Sequence, residues 1–207
     1  FAGPGDEIVF AEHCFIVYPL AALAVGAVGV KVPARDFGHD LEAMARAVTS
    51  RTRVVFIANP NNPTGTWADE AALSQLLAAV PADCMVVVDE AYFEYVDREG
   101  YPDASRLMAR YPNLMVTRTF SKVHGLAAMR IGYALTSPDV ADLLNRVRMP
   151  FNVNEPSMAA AEAALGDSAH VAASIAANNA GMAQLEDGFR LLGLDFIPSI
   201  ANFITFD

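Results

Sequence analysis

Positive charge is scarce in this sequence: 14 lysines and arginines stand against 24 aspartates and glutamates, for a formal net charge of −10 at neutral pH. A nucleic acid or an anionic membrane surface would be repelled, so neither is the expected partner. A small-molecule ligand is favoured instead, and an anionic one has to be held by a local group such as Lys122 or Arg130. Cysteine is nearly absent. Cys14 and Cys84 lack metal-ligand spacing and sit in apolar sequence, so they read as buried free thiols of a reducing, cytoplasmic compartment, and no metal is expected. No basic segment leading into an apolar one opens the chain, so a secretory leader is not expected.

Long unbroken apolar runs are missing too. Cys14 to Val30 carries no charge, but it falls short of the roughly 18 residues of a spanning helix and is interrupted by Pro19, Gly26 and Gly29. It reads as a buried helix beginning near Pro19, followed by a strand toward Val32.

What is present is material for a core. Apolar residues make up 54% and charged residues 18% of the 207 positions, with positive mean hydropathy. That composition belongs to a globular chain, and the length suits a large domain plus a piece of a second.

Glu7 to Phe10 and Val28 to Val32 read as strands, with a helix from Asp40 to Val48 on the spacing of Leu41, Met44, Ala45 and Val48. Arg53–Ala58 and Cys84–Asp89 are β-branched runs of the kind found in central parallel strands. The stretch from Asp69 to Val80 between them reads as a helix capped by Asp69. Leu114–Phe120 and Ile131–Thr136 add two strands, and Ser137-Pro138-Asp139 opens a helix toward Arg148. Beyond Glu155 the pattern is helical and alanine-rich, first to Leu165 and then from Ser168 to Leu192, before Asn202–Phe206 resumes strand character.

This rhythm predicts an α/β fold of three α-β-α layers around a mainly parallel sheet. Residues 1–165 are expected to form a large domain lacking its N-terminal part, and residues 166–207 a linker helix and the beginning of a smaller C-terminal α/β domain. Both ends are abrupt, so an excised segment of a larger polypeptide is expected.

Three polar clusters follow three of the strands: Asn59-Pro60-Asn61-Asn62-Pro63-Thr64-Gly65, Asp89-Glu90-Ala91-Tyr92 and Thr119-Phe120-Ser121-Lys122. Alone, each has a bland reading as a turn, a cap or a surface pair. Together they fall on the carboxyl edge of an open α/β sheet, where ligands bind, and so converge on one site.

With TFSKVHGLAAMRIGY from Thr119 to Tyr133, these segments resemble the fold-type I pyridoxal phosphate (PLP) enzymes of the aspartate aminotransferase superfamily, over nearly the whole chain. The resemblance implies PLP as cofactor and residues 1–165 as the PLP-binding domain. It makes Lys122 the Schiff-base lysine, which later shuttles the substrate proton. Asp89 is implied as the partner of the pyridine nitrogen. Asn62 and Tyr92 become donors to the phenolic oxygen, and Thr119, Ser121 and Arg130 become phosphate ligands. Phe15 takes the place of the ring stacked on the cofactor. His124 falls where the family has no catalytic residue.

HCFIVYPLAALAVGA, RTFSKVHGLAAMRIGY and RVRMPFNVNEPSMAAAEAAL are most similar to the histidinol-phosphate aminotransferase branch. That branch moves an amino group from histidinol phosphate to 2-oxoglutarate in histidine biosynthesis, giving imidazole acetol phosphate and glutamate. Aromatic amino acid aminotransferases and a threonine-phosphate decarboxylase share most of these residues and stay open, as does a noncatalytic PLP-sensing module. The resemblance also implies a homodimer acting on a small amino donor and a 2-oxo acid. Two parts of the family site, an upstream glycine-containing loop and a C-terminal arginine, have no counterpart in this sequence.

Overall fold

The computed structural model describes residues 1–207. Its main sheet runs β1 (Glu7–Ala11), β2 (Val28–Val32), β3 (Thr52–Ala58), β4 (Met85–Asp89), β5 (Leu114–Thr119) and β6 (Gly132–Leu135) along the chain, arranged in space as β2-β1-β3-β4-β5-β6. All pairings are parallel except β5 with β6. Six helices accompany it: α1 (Val17–Ala24), α2 (Leu41–Arg46), α3 (Glu70–Ala79), α4 (Pro138–Val147), α5 (Glu155–Gly166) and α6 (Ser168–Leu192).

The strands read as continuous apolar runs because both faces of the sheet are covered. Val55, Ile57, Val86, Val88, Leu114 and Val116 pack with Met44 of α2 and with Leu73, Leu76 and Leu77 of α3. Their alternate neighbours Val54, Met85, Val87 and Met115 pack on the other face with Ile8, Phe10 and with Tyr18 and Ala22 of α1. This gives the expected three layers, and strand alternation carries over to the residues just past each strand end.

Helix starts follow local chemistry. The Asp40 and Asp69 carboxylates accept from the Ala43 and Ala72 backbone N–H groups at 2.9 and 2.8 Å, satisfying donors that have no partner within the first turn. Ser137 and Asp167 cap α4 and α6 in the same way.

Three expectations need correction. Helix α1 does take Pro19 in its first turn, where the missing N–H costs no helical hydrogen bond, but only Tyr18 and Ala22 of it are buried rather than the whole helix. The strand foreseen from Asn202 shrinks to β8 (Thr205–Phe206), paired antiparallel with β7 (Phe196–Ile197). Two-residue strands have no periodicity to read; Phe206 and Phe196 are held instead by contact with Phe189 of α6. Cys14 is only half-buried, unlike Cys84, whose thiol burial pushes up to about 11. No group of three or more His, Cys, Asp or Glu side chains is arranged to hold a metal, and no helix is long and apolar enough to cross a membrane.

Candidate active site

The loop after β3 is built mostly by its own amides. Asn59 clasps the Ala68 backbone, donating to its carbonyl at 3.0 Å and accepting from its N–H at 2.9 Å. Asn61, fully buried, donates to the His13 carbonyl at 2.8 Å and to Thr64 Oγ1 at 2.9 Å. Gly65 adopts φ +71°, and a Cβ there would lie 2.0 Å from Ser199 Oγ, so the tight turn and the close approach both require glycine. With the loop fixed in this way, Asn62 is free to face inward.

Beside it, at the carboxyl ends of β4 and β5, lies a cavity of about 330 Å³, within the size range of small-molecule sites. Phe15, Asn62, Asp89, Tyr92, Thr119, Ser121, Lys122 and Arg130 all line it, so the eight residues to which the resemblance gave a cofactor role meet in one place. Asn62 Nδ2 donates to Tyr92 Oη at 2.9 Å. Lys122 Nζ lies 5.1 Å from the centre of the Tyr92 ring. Thr119 Oγ1 accepts from the Ser121 N–H at 3.1 Å. Arg130 has left-handed backbone, φ 50°, and its Nη1 donates to the Ala127 carbonyl at 2.7 Å and Ser121 Oγ at 3.4 Å while the side chain stays exposed. Phe15 is 38% exposed and makes a T-shaped contact with the Tyr18 ring.

Asp89 is the electrostatic focus of the pocket. Burial raises its carboxyl above the usual range, and hydrogen bonds from Tyr18, Thr117 and the Ala91 backbone, with the Lys122 charge, pull it back. Tyr18 Oη donates to Oδ2 at 2.8 Å and Thr117 Oγ1 to Oδ1 at 3.1 Å. Neither residue was singled out from the sequence. The available signals were short-range: Tyr18 stands three residues after Phe15, and Thr117 precedes Thr119 by two on the same strand face.

The next residue along each strand end faces the other way. Glu90, 1% exposed, follows the Val88 face, and Arg118 follows Val116. Arg118 bonds Glu90 and also Asp103, with its guanidinium 3.7 Å above the Phe93 ring. The strand ends are thereby tied behind the pocket. His124 does not line the pocket; its ring tilts against Phe120, and burial holds it below its ordinary pKa, with His170 adding to the shift.

The pocket thus offers a primary amine, a buried carboxylate, an amide and phenol pair along one edge, and hydroxyls with a guanidinium at another. Such a set suits a flat ring that carries a basic nitrogen and an anionic group. A parallel sheet with this constellation at its carboxyl edge defines a class: the chain belongs to the aminotransferase class I and II family, whose model matches residues 1–207.

Within that family the chain is similar to the histidinol-phosphate aminotransferases. It is 57% identical to histidinol-phosphate aminotransferase 1 of Nitrosococcus oceani over 204 residues, 99% of this chain and 55% of that protein. It is 58% identical to histidinol-phosphate aminotransferase 2 of Pseudomonas aeruginosa over all of this chain and 56% of that protein. The crystal structure of histidinol-phosphate aminotransferase from Sinorhizobium meliloti in complex with pyridoxal-5'-phosphate superposes with a TM-score of 0.94 at 31% identity, covering 100% of this chain and 56% of that one. A tetra mutant of Thermus thermophilus aspartate aminotransferase shares the fold, with a TM-score of 0.89 at 24% identity, over 99% of this chain and 59% of that one. The chain spans about half the length of these relatives.

Proposed function

We propose that the pocket holds pyridoxal 5'-phosphate and that the complete polypeptide is a transaminase, passing an amino group from histidinol phosphate to 2-oxoglutarate. The observation that carries this reading is the meeting of Lys122, Asp89 and the Thr119-Ser121-Arg130 group in one cavity. The residues fit the cofactor. Thr119, Ser121 and Arg130 would donate to its phosphate, a geometry a guanidinium serves with two parallel bonds. Asp89 would accept from the ring nitrogen; Asn62 and Tyr92 would orient the phenolic edge; Phe15 would cover one face and exclude water.

Bound there, the cofactor supplies an aldehyde that bonds to amines and a cationic ring that draws electron density from the substrate α-carbon. Lys122 Nζ both anchors the group and is the base placed to hold and move the α-proton. Asp89 keeps a negative charge against the ring, which a neutral side chain cannot do. Its burial strengthens that pairing because little water competes.

The relatives named histidinol-phosphate aminotransferases, at 57% and 58% identity, support histidinol phosphate as the donor. In the same reading, residues 1–165 are the cofactor-binding domain, while α6 and the β7–β8 hairpin belong to a linker and the start of a second domain. The hairpin segment is joined to the Gly65 loop by the Ile200 N–H bond to the Gly65 carbonyl at 3.1 Å and by Thr205 Oγ1 donating to the Pro63 carbonyl. A cytoplasmic homodimer completes the reading.

Steady-state assays of the complete polypeptide with PLP and 2-oxoglutarate, comparing histidinol phosphate with phenylalanine and tyrosine, test it. A higher kcat/KM for histidinol phosphate is expected. A preference for the aromatic donors would replace the substrate. Bound PLP without turnover of any donor would favour a sensing module.

A further inference from the structure

Asp89 is held from both sides by donors on different elements. Tyr18 comes from α1 and reaches Oδ2 at 2.8 Å; Thr117 comes from β5 and reaches Oδ1 at 3.1 Å. Tyr18 has no freedom of its own, being 4% exposed with its ring stacked parallel on Phe56 at 4.6 Å. Rotating the carboxylate would break both bonds at once. Each of its oxygens still has a second lone pair for a ligand, and Asp89 lines the cavity.

The charged and titratable groups around this contact are few. Lys122 acts on Asp89 from the loop after β5, and Cys14 and Tyr92 act on Tyr18. Ionising the Tyr18 phenol would place a second negative charge beside a carboxylate in a buried setting, so the phenol stays protonated and stays a donor.

We propose that Tyr18, assisted by Thr117, is a positioning residue for Asp89: its hydroxyl holds the carboxylate turned to the pocket, ready to accept a hydrogen bond from the ring nitrogen of the bound cofactor. The inference rests on the PLP reading given above and deepens it. Tyr18 acts through Asp89 and needs no contact with the cofactor.

A double-mutant cycle on the complete polypeptide separates this role from a packing role. The variants are Tyr18→Phe, Asp89→Asn and the two combined; phenylalanine keeps the stacking on Phe56. Tyr18→Phe is expected to weaken PLP binding about tenfold when Asp89 is present and by less than about twofold once Asp89→Asn has removed the carboxylate. Carboxyl-carbon NMR of the ligand-free protein is the second readout, and Asp89 should titrate at a higher pH in Tyr18→Phe than in the wild type. Thr117→Val, a change of similar shape on another element, should raise the titration in the same direction.

Equal weakening in both backgrounds, or an Asp89 titration that neither variant moves, would overturn the proposal while leaving PLP binding intact. A folded wild type that binds no PLP would overturn the cofactor reading and the proposal with it.

Discussion

Arg118 Nε and Nη2 donate to the same oxygen of Glu90, at 2.9 and 2.7 Å, on the face of the sheet turned away from the pocket. The other Glu90 oxygen accepts from the Ala104 N–H at 2.9 Å, and Arg118 Nη2 reaches Asp103 at 2.8 Å. Every polar atom of the buried carboxylate is therefore answered. Arg118→Met would leave Glu90 buried beside an apolar chain, and a loss of about 3–5 kcal/mol is expected. Urea denaturation measures it; a loss below about 1 kcal/mol would show that the pair does not hold the strand ends. Arg118→Lys should recover only part of the loss, since an ammonium cannot reproduce the fork.

The Gly65 turn makes a second prediction. Gly65→Ala would set a methyl 2.0 Å from Ser199 Oγ and 2.8 Å from its Cα, at a backbone angle that disfavours any side chain. A cost of about 1–3 kcal/mol is expected, visible as a lowered Tm. Because backbone as well as side chain is struck, adding Ser199→Gly should restore less than the full loss. Complete restoration would mean that only the Ser199 side chain is in the way.

His39 makes the folded state acid-sensitive. Its Nε2 donates to the Ala58 carbonyl at 3.0 Å, Nδ1 is buried without a partner, and burial pushes the ring down to about 4 from an ordinary 6.5. Between those values the unfolded chain binds a proton that the folded one refuses. This group's contribution is therefore complete above the ordinary value and is lost as pH falls through the window, with a slope of at most about 1.4 kcal/mol per pH unit. The difference in unfolding free energy between His39→Phe and wild type, followed from neutral pH downward, should shift in favour of the variant. A difference constant with pH would contradict the assignment.

Asp89 has the opposite sign. Its folded pKa is raised, so its contribution is present at low pH and lost as pH rises through the folded value. Asp89→Asn removes that penalty, and the ligand-free variant should unfold at an equal or higher midpoint than wild type at neutral pH. At a PLP concentration that stabilises the wild type by about 2.7 kcal/mol, a hundred times its dissociation constant, the variant should gain less because it binds more weakly. A variant that is weaker without ligand and gains as much from PLP as the wild type would refute the pairing.

Much of this was legible because the signals are local. The runs around Val86 and Val116 announce strands, Asp69 and Ser137 announce helix starts, and the eight pocket residues lie within a few positions of strand ends or of α1. The Tyr18 bond to Asp89 joins residues 71 apart and the Arg118 bond to Glu90 residues 28 apart, so neither can be read until the sheet order is known. Alternation then explains both: Asp89 and Thr117 continue the face that meets α1, while Glu90 and Arg118 continue the face that meets α3. The β7–β8 pair was hidden for a different reason, since its few residues are held by contacts with α6 and the Gly65 loop rather than by a pattern of their own.

A covalent site at Lys122 is tested most directly by the absorbance spectrum of the complete polypeptide with PLP, before and after borohydride, in wild type and Lys122→Ala. A visible band is expected in the wild type, which reduction converts to a permanent adduct that peptide mass mapping places on Lys122 and that the variant lacks. A folded wild type with no such band, or an adduct equally abundant in Lys122→Ala, would contradict it.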